Sequence, residues 1–408
     1  MDKKKVFIYL PMNLPIPAVG GGAIETLITN LIEENELQQL VELIIISKND
    51  EKAKRKKYHH TKIYYFEDEV YNGKVQIIYK AEWFLYRIWF KLFQNRISKK
   101  HIKTDYSYMS FFVYQCYRIA KKEKVDVVVS EGRLDESEWG IWNRLVGQKN
   151  VYNHIHGNRP ENIASRLTIC NSILVSEYIK KTWIKNDNIE GKTYVLKNGI
   201  DLALFNQPFS IEAKTQTKRK LKLHDDDFVG IYCGRIAPEK GIEQLLDAFS
   251  LIDNTKIKLI LIGSPAFSEN IITNFSEKMI KRTERSNNVI YLGYVPNDKI
   301  QEYFAVSNIY IMPPVYQDAA PLAVIEAMAS GLPLIMTKSG GTVEYATEAC
   351  AIMLDIDDNL SVNLAKSILE LSKDKSKRER MSKAGKERAS CFSRQNYYKD
   401  FLRIINSD

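Results

Sequence analysis

The chain has 408 residues, of which 45% are hydrophobic and 27% charged, and a formal net charge of +9. That length exceeds one compact core and predicts two domains of ordinary size, while the composition excludes a disordered or collagenous protein. The five cysteines, Cys116, Cys170, Cys233, Cys350 and Cys391, stand singly. They show no metal or disulfide spacing, and read as small buried residues in a reducing compartment.

The chain opens with a basic end and only five apolar residues, 6–10, before Pro11. That run is too short for a signal peptide and predicts a buried first strand. No apolar run approaches the ~20 residues that a spanning helix needs, so a cytoplasmic placement is expected. Further strands are predicted over 41–47, 62–66, 125–130, 150–155 and 172–175, with a helix over 23–36. The second half repeats the alternation, with strands over 228–233, 256–262, 288–291, 309–312 and 334–336 and helices over 241–252 and 322–330. Near-continuous apolar strands between amphipathic helices indicate parallel sheets covered on both faces. The expected fold is therefore α/β, with two doubly wound Rossmann-like domains facing across a cleft. Their bounds are placed at 1–205 and 206–391, with 206–227 read as a polar connection and the start of the second block.

Two stretches carry chemistry. In the turn from Gly234 to Gly241, Arg235 and Lys240 stand five apart between glycines, after a predicted strand. Arginine offers a planar fork and lysine a mobile point charge, a combination suited to a diphosphate at the carboxyl edge of a sheet. Further on, Asp318 and Glu326 lie eight apart where a loop enters a helix, and can hold sugar hydroxyls. Together they describe a site for a nucleotide-activated sugar. Gly20, Gly21 and Gly22 sit between a strand and a helix, where backbone N–H groups can approach a ligand. The pattern is not GxGxxG and does not support a nicotinamide cofactor. His156 closes a predicted strand, and His154, two residues earlier, points the same way. No third residue at metal-ligand spacing stands nearby, so no metal site is expected.

These residues resemble glycosyltransferase family 4, retaining enzymes of the GT-B architecture. The resemblance takes in Gly20–Glu25, His156-Gly157 and the crossover from Leu196 to Asp201. It continues through the Arg235–Lys240 turn, the run from Leu292 to Pro296 and the Asp318–Glu326 segment. It implies catalytic roles for His156, beneath the transferred sugar, for Arg235 and Lys240 on the donor diphosphate, and for Asp318 on the hexose hydroxyls. It places Glu326 on the ribose, the N–H groups of Leu322 and Ala323 and the loop of Gly21 and Gly22 toward the diphosphate, and Gly263, Tyr294 and Val295 beside the base. The family usually carries Glu at both ends of its carboxylate pair with Phe-Gly-Leu inside. Here Asp318 and the run Ala319-Ala320-Pro321-Leu322 depart from it, which leaves the sugar unspecified.

The activity implied is metal-independent, retaining transfer of a hexose or N-acetylhexosamine from a UDP-sugar to a glycan or lipid-linked acceptor, as in cell-surface polysaccharide synthesis. A nucleotide-sugar epimerase or hydrolase of the same fold, and a non-catalytic partner subunit, are the alternatives. The last segment, 392–408, is expected to form a helix that returns to the first domain, with Tyr397, Phe401, Leu402 and Ile405 on its covered face. Finally, residues 51–125 carry 18 Lys and Arg against 7 Asp and Glu. Within them, 80–103 interleaves cations with aromatics, which predicts peripheral docking on an anionic inner membrane face rather than nucleic-acid binding.

Overall fold

The computed structural model describes residues 3–10, 14–66, 109–132, 134, 136–158, 170–184, 191–265 and 273–407. The stretch 80–103, which carries the membrane expectation, lies outside them. In chain order the first strands are β1 (Lys5–Tyr9), β2 (Glu42–Lys48), β3 (Thr61–Phe66), β4 (Val127–Glu131), β5 (Val151–Ile155), β6 (Asn171–Leu174) and β7 (Thr193–Val195). They form one parallel sheet in the order β3-β2-β1-β4-β5-β6-β7.

The second set is β8 (Phe228–Cys233), β9 (Ile257–Ile262), β10 (Val289–Gly293), β11 (Ile309–Met312), β12 (Leu334–Thr337) and β13 (Ala351–Leu354). It forms a parallel sheet in the order β10-β9-β8-β11-β12-β13. The central strands are apolar on both faces, as sheets covered by helices on both sides require. All five residues of β4 and of β5 are buried, whereas every residue of the edge strands β7 and β10 is half-buried.

Strand order reverses between β1 and β4 in the first sheet and between β8 and β11 in the second. At such a switch point the following helices leave in opposite directions and open a crevice beyond the carboxyl ends of the strands. The expected site residues lie on loops that leave these strands or their near neighbours, except Leu322, Ala323 and Glu326 in the helix Leu322–Ala329.

Two expectations about the connections change. The polar stretch after 206 is not a bare linker but contains a helix, Ile211–Lys220, capped by Ser210 Oγ accepting from the Ala213 N–H at 3.1 Å. Charged residues dominate it and only Thr217 is buried, so it has almost no apolar stripe to betray it. Strand β13 was not anticipated at all.

The C-terminal helix, Arg394–Ile405, packs on the helix Ala23–Gln38 of the first domain. Ser393 caps it, and the buried face is Tyr397, Tyr398, Phe401, Ile404 and Ile405. Tyr398 and Ile404 complete that face; Leu402, expected there, is half-buried. Tyr398 Oη reaches Asn35 Oδ1 at 2.6 Å, and Arg394 bonds Glu34 and Asp201, each at 3.2 Å. The chain thus crosses between the domains twice, and the crossings touch. Ile200 N–H donates to the Phe392 carbonyl at 3.0 Å, and Arg394 N–H to the Ile200 carbonyl at 2.7 Å.

Candidate active site

Arg235 and Lys240 follow β8 on a turn that closes into the helix Ile242–Ser250. Gly241 ends the turn at φ +70°, and a Cβ there would lie 1.8 Å from the Pro313 carbonyl oxygen, so glycine is required for the turn to pass beneath β11. Lys240 Nζ meets Asp318 Oδ2 at 2.5 Å, both half-buried, and Arg235 pairs with Glu239 at 2.7 Å. Ser339, Gly340 and Gly341, a short loop after β12, hold the segment around Asp318. Asp318 N–H donates to Ser339 Oγ at 2.8 Å, Ser339 Oγ donates to the Tyr316 carbonyl at 2.6 Å, and Gly341 N–H donates to the Asp318 carbonyl at 2.8 Å. No motif in the local sequence marks these three residues for that part.

Pro321 caps the helix Leu322–Ala329, where it has no N–H to leave unpaired, and Leu322 and Ala323 occupy the first turn. Glu326 lies one turn in and is buried, and burial pushes its carboxyl up to about 7. It neighbours Cys233 and Tyr310, whose pKa values are raised first by burial and further by its charge. Gly263 N–H donates to the Gly293 carbonyl at 2.8 Å, which sets the Gly263 loop beside Tyr294 and Val295. Tyr294 is 36% exposed, a side chain open to a planar ligand.

In the first domain, Gly21 and Gly22 both have positive φ, and a Cβ on Gly22 would lie 2.1 Å from Glu25 Oε2. Glu25 is itself buried, and burial raises its pKa. Across the switch point, His154 and His156 lie together with ring centroids 4.0 Å apart. The third partner missing from the sequence reading is Glu131. Parallel pairing sets Glu131 on β4 opposite His154 on β5. Its Oε2 lies 3.0 Å from His154 Nδ1 and 2.6 Å from His156 Nε2. Burial alone would raise the Glu131 carboxyl, but the two imidazoles overcome it and hold it at about 2. Burial, then His154, lowers the pKa of His156, with Glu131 drawing it partly back.

Glu131, His154 and His156 are the one group among the described residues whose ligand atoms, within 4.8 Å of one another, suit a cation. The expectation that no third ligand stands near the histidines is therefore corrected. A residue 23 positions before His154 in the chain becomes its neighbour only when β4 and β5 pair.

The two edges adjoin. Asn158 Nδ2 donates to the Gln317 carbonyl at 2.5 Å, and Asn198 Nδ2 to the Ala320 carbonyl at 2.9 Å. Tyr345 Oη accepts from the Asn198 N–H at 3.1 Å and donates to the Val175 carbonyl at 2.9 Å. Glu344 accepts the N–H groups of Glu177 and Tyr178 at 3.0 and 2.7 Å, so the second domain caps a helix of the first. His156 and Asp318 therefore end on facing loops.

Two parallel sheets with their switch points turned to a shared cleft define a protein of GT-B fold. Residues 213–388 match the family model described as glycosyl transferases group 1, and this segment is a domain of that kind. Over 177 residues the chain is 28% identical to an uncharacterized glycosyltransferase of Methanocaldococcus jannaschii, covering 43% of this chain and 44% of that one. Over 249 residues it is 25% identical to spore coat protein SA of Bacillus subtilis, covering 59% and 66%. The chain thus spans less than two thirds of the length of these curated relatives. Among solved structures, HepE of Anabaena in complex with UDP and glucose matches at a TM-score of 0.71 and 17% identity, over 98% of this chain and 99% of that one. At that identity the likeness concerns the fold alone. No helix among the described residues is long and apolar enough to cross a membrane.

Proposed function

We propose that the protein is a retaining, metal-independent glycosyltransferase. In this reading it moves a hexose or N-acetylhexosamine from a UDP-sugar to a hydroxyl of a glycan or lipid-linked acceptor in cell-surface polysaccharide synthesis. The observation that carries it is the Lys240–Asp318 pair at 2.5 Å beside Arg235, at the switch point of the second sheet and abutting the loop after His156. A cation suited to phosphate and a carboxylate suited to sugar hydroxyls stand in contact, as a donor needs at the junction of its diphosphate and its sugar. The base is uracil in this reading because HepE, of the same fold, is known with UDP.

The donor diphosphate sits against Arg235, Lys240 and the first-turn N–H groups of Leu322 and Ala323. Glu326 takes the ribose hydroxyls, Gly263, Tyr294 and Val295 flank the base, and Gly21 and Gly22 approach the diphosphate from the opposite domain. The bond from the anomeric carbon to the phosphate oxygen breaks while the acceptor oxygen bonds to the same face. The leaving phosphate oxygen takes the acceptor proton. Negative charge grows on that phosphate as the bond breaks, so fixed cations stabilise the transition state more than the ground state.

The test is incubation with radiolabelled UDP-sugars and crude membrane lipids. Transfer with retained anomeric configuration and without added metal is expected; the absence of both transfer and nucleotide-sugar binding would sink the reading. Incubation with the donor alone separates transfer from epimerisation or hydrolysis. Sedimentation with anionic and neutral vesicles at low and high salt tests the peripheral membrane association, for which salt-sensitive recovery on anionic vesicles is expected.

A further inference from the structure

Glu131 has no part in the proposed transfer step, yet it is 1% exposed and touches the histidine nearest the reacting centre. Around it lie polar atoms that burial leaves without a hydrogen-bond partner: Glu131 Oε1, His154 Nε2 and both amide atoms of Asn153. Each such atom costs about 1–3 kcal/mol. A cluster of them at a switch point marks a place kept polar for a ligand or water rather than packed for stability.

Two devices use a carboxylate and two imidazoles this way: a cation held between them, or a proton shared along a hydrogen bond. The distances choose between them. Ligands about 2.0–2.1 Å from one tetrahedral ion stand roughly 3.3 Å apart. The contact of 2.6 Å between Glu131 Oε2 and His156 Nε2 is much shorter. It is instead the length of a charge-assisted hydrogen bond. With Nε2 held by Glu131, Nδ1 is the remaining ring nitrogen of a side chain that is 12% exposed, against 0% for His154.

We infer that Glu131 is a positioning residue: its carboxylate accepts a hydrogen bond from the Nε2–H of His156, locks the ring, and leaves Nδ1 as a hydrogen-bond acceptor for a substrate hydroxyl. His154, tilted against His156 and sharing the same carboxylate oxygen, keeps the ring from turning over. Burial and His154 hold His156 neutral near pH 7, which is the state this tautomer requires. The site therefore takes a sugar with a hydroxyl aimed at Nδ1. The corresponding deoxy sugar loses far more than one weak contact, because on binding it would cover Nδ1 without giving it a donor.

The inference rests on the transferase reading, but its test does not depend on activity. Nitrogen NMR on the full chain labelled with 15N-histidine, assigned by loss of one signal in His156→Ala, reads the tautomer directly. At pH 7 an unprotonated Nδ1 and a protonated Nε2 are expected; the opposite tautomer, or two protonated nitrogens, overturns the inference. In Glu131→Gln the loss of the carboxylate should lower the His156 pKa and move the acidic limb of the pH–rate profile down by about one unit. kcat should fall about 10–100-fold while KM for the donor stays within about twofold. An unchanged acidic limb and kcat in a folded Glu131→Gln variant overturn it. So does stoichiometric zinc in the purified chain that leaves with activity on chelation, since Glu131 would then be a ligand. If no nucleotide-sugar binds, the transferase reading fails while the tautomer result stands.

Discussion

The two edges of the cleft are built from opposite materials. On the first domain the chemistry sits on strand ends: Glu131, His154 and His156 are short side chains, nearly or wholly buried, touching one another at hydrogen-bond distance. On the second domain it sits on turns and a helix start, where Arg235 and Lys240 are long, with side chains 39% and 22% exposed. These cations rest on Glu239 and Asp318, and in the proposed reading would leave or share them when a diphosphate arrives. The first edge is fixed in direction before any ligand comes, whereas the second is adjustable charge. Fixed direction suits reading a hydroxyl, and adjustable charge suits following a leaving group as its bond lengthens.

The sharpest way to break this division is to remove the adjustable charge. The double variant Arg235→Ala, Lys240→Ala should lose about 10³-fold or more in kcat, because the proposed mechanism sets both cations on charge that develops in the transition state. Its melting temperature should change little, and transfer near the wild-type rate would end the comparison. Chelators should leave wild-type transfer unaffected.

A second experiment asks whether the fixed edge depends on the returning helix. Deleting residues from 392 onward removes six buried side chains, five of them on the helix that packs on Ala23–Gln38, among them Tyr398 and Phe401. At about 1.5–3 kcal/mol for each large apolar group, the first domain should lose most of its stability while nucleotide binding by the second persists. Separate unfolding transitions in calorimetry would report this. An unchanged first-domain transition would refute it.

Smaller effects come from pH. Glu326 is held up to about 7 by burial, and ribose hydroxyls donate better to its ionised form. UDP affinity should therefore rise about tenfold between pH 6 and pH 8 in titration calorimetry, with proton release on binding, and Glu326→Gln should flatten that rise. In stability the sign is reversed: the unfolded carboxyl ionises near 4.5 and the folded one near 7, so this group's contribution falls as pH rises through that interval.

Glu131 acts the other way. Its folded pKa of about 2, against an ordinary 4.5, contributes about 3 kcal/mol that is present above pH 4.5 and is lost as pH falls toward 2. The lowered pKa of His156 adds to the loss below pH 6.5, since the unfolded ring protonates first. Thermal melts of wild type between pH 7 and pH 3 should fall more steeply than those of Glu131→Gln, and parallel curves would remove the ionised carboxylate from the account.

How much of this was legible in the chain follows from the range of each interaction. The central strands were readable because residues such as Val127, Val128 and Val129 are apolar on both faces, a property of neighbours in sequence. Arg235, Lys240, Asp318 and Glu326 stand in short motifs whose residue types announce their chemistry. Glu131 was not readable, since it ends an ordinary strand and meets His154 and His156 only through the register of β4 on β5. Ser339 to Gly341 support Asp318 from 21 or more residues away by the same kind of long-range contact. The helix Ile211–Lys220 hid for a different reason: a helix that buries a single threonine has no hydrophobic period to detect.

The contact between the two interdomain crossings sets how the cleft can work. Because Ile200 hydrogen-bonds both Phe392 and Arg394, the outgoing and returning chains form one short two-stranded seam rather than two separate tethers. Two independent tethers would let one domain slide and roll over the other. A single seam has the geometry of a pivot, about which chiefly one angular coordinate, opening and closing, would remain. Asn198 and Tyr345 lie beside that seam, so a rotation about it would move them least and groups farther along the cleft most. In the proposed transfer, donor capture, exclusion of water and delivery of the acceptor would then be readings of one angle.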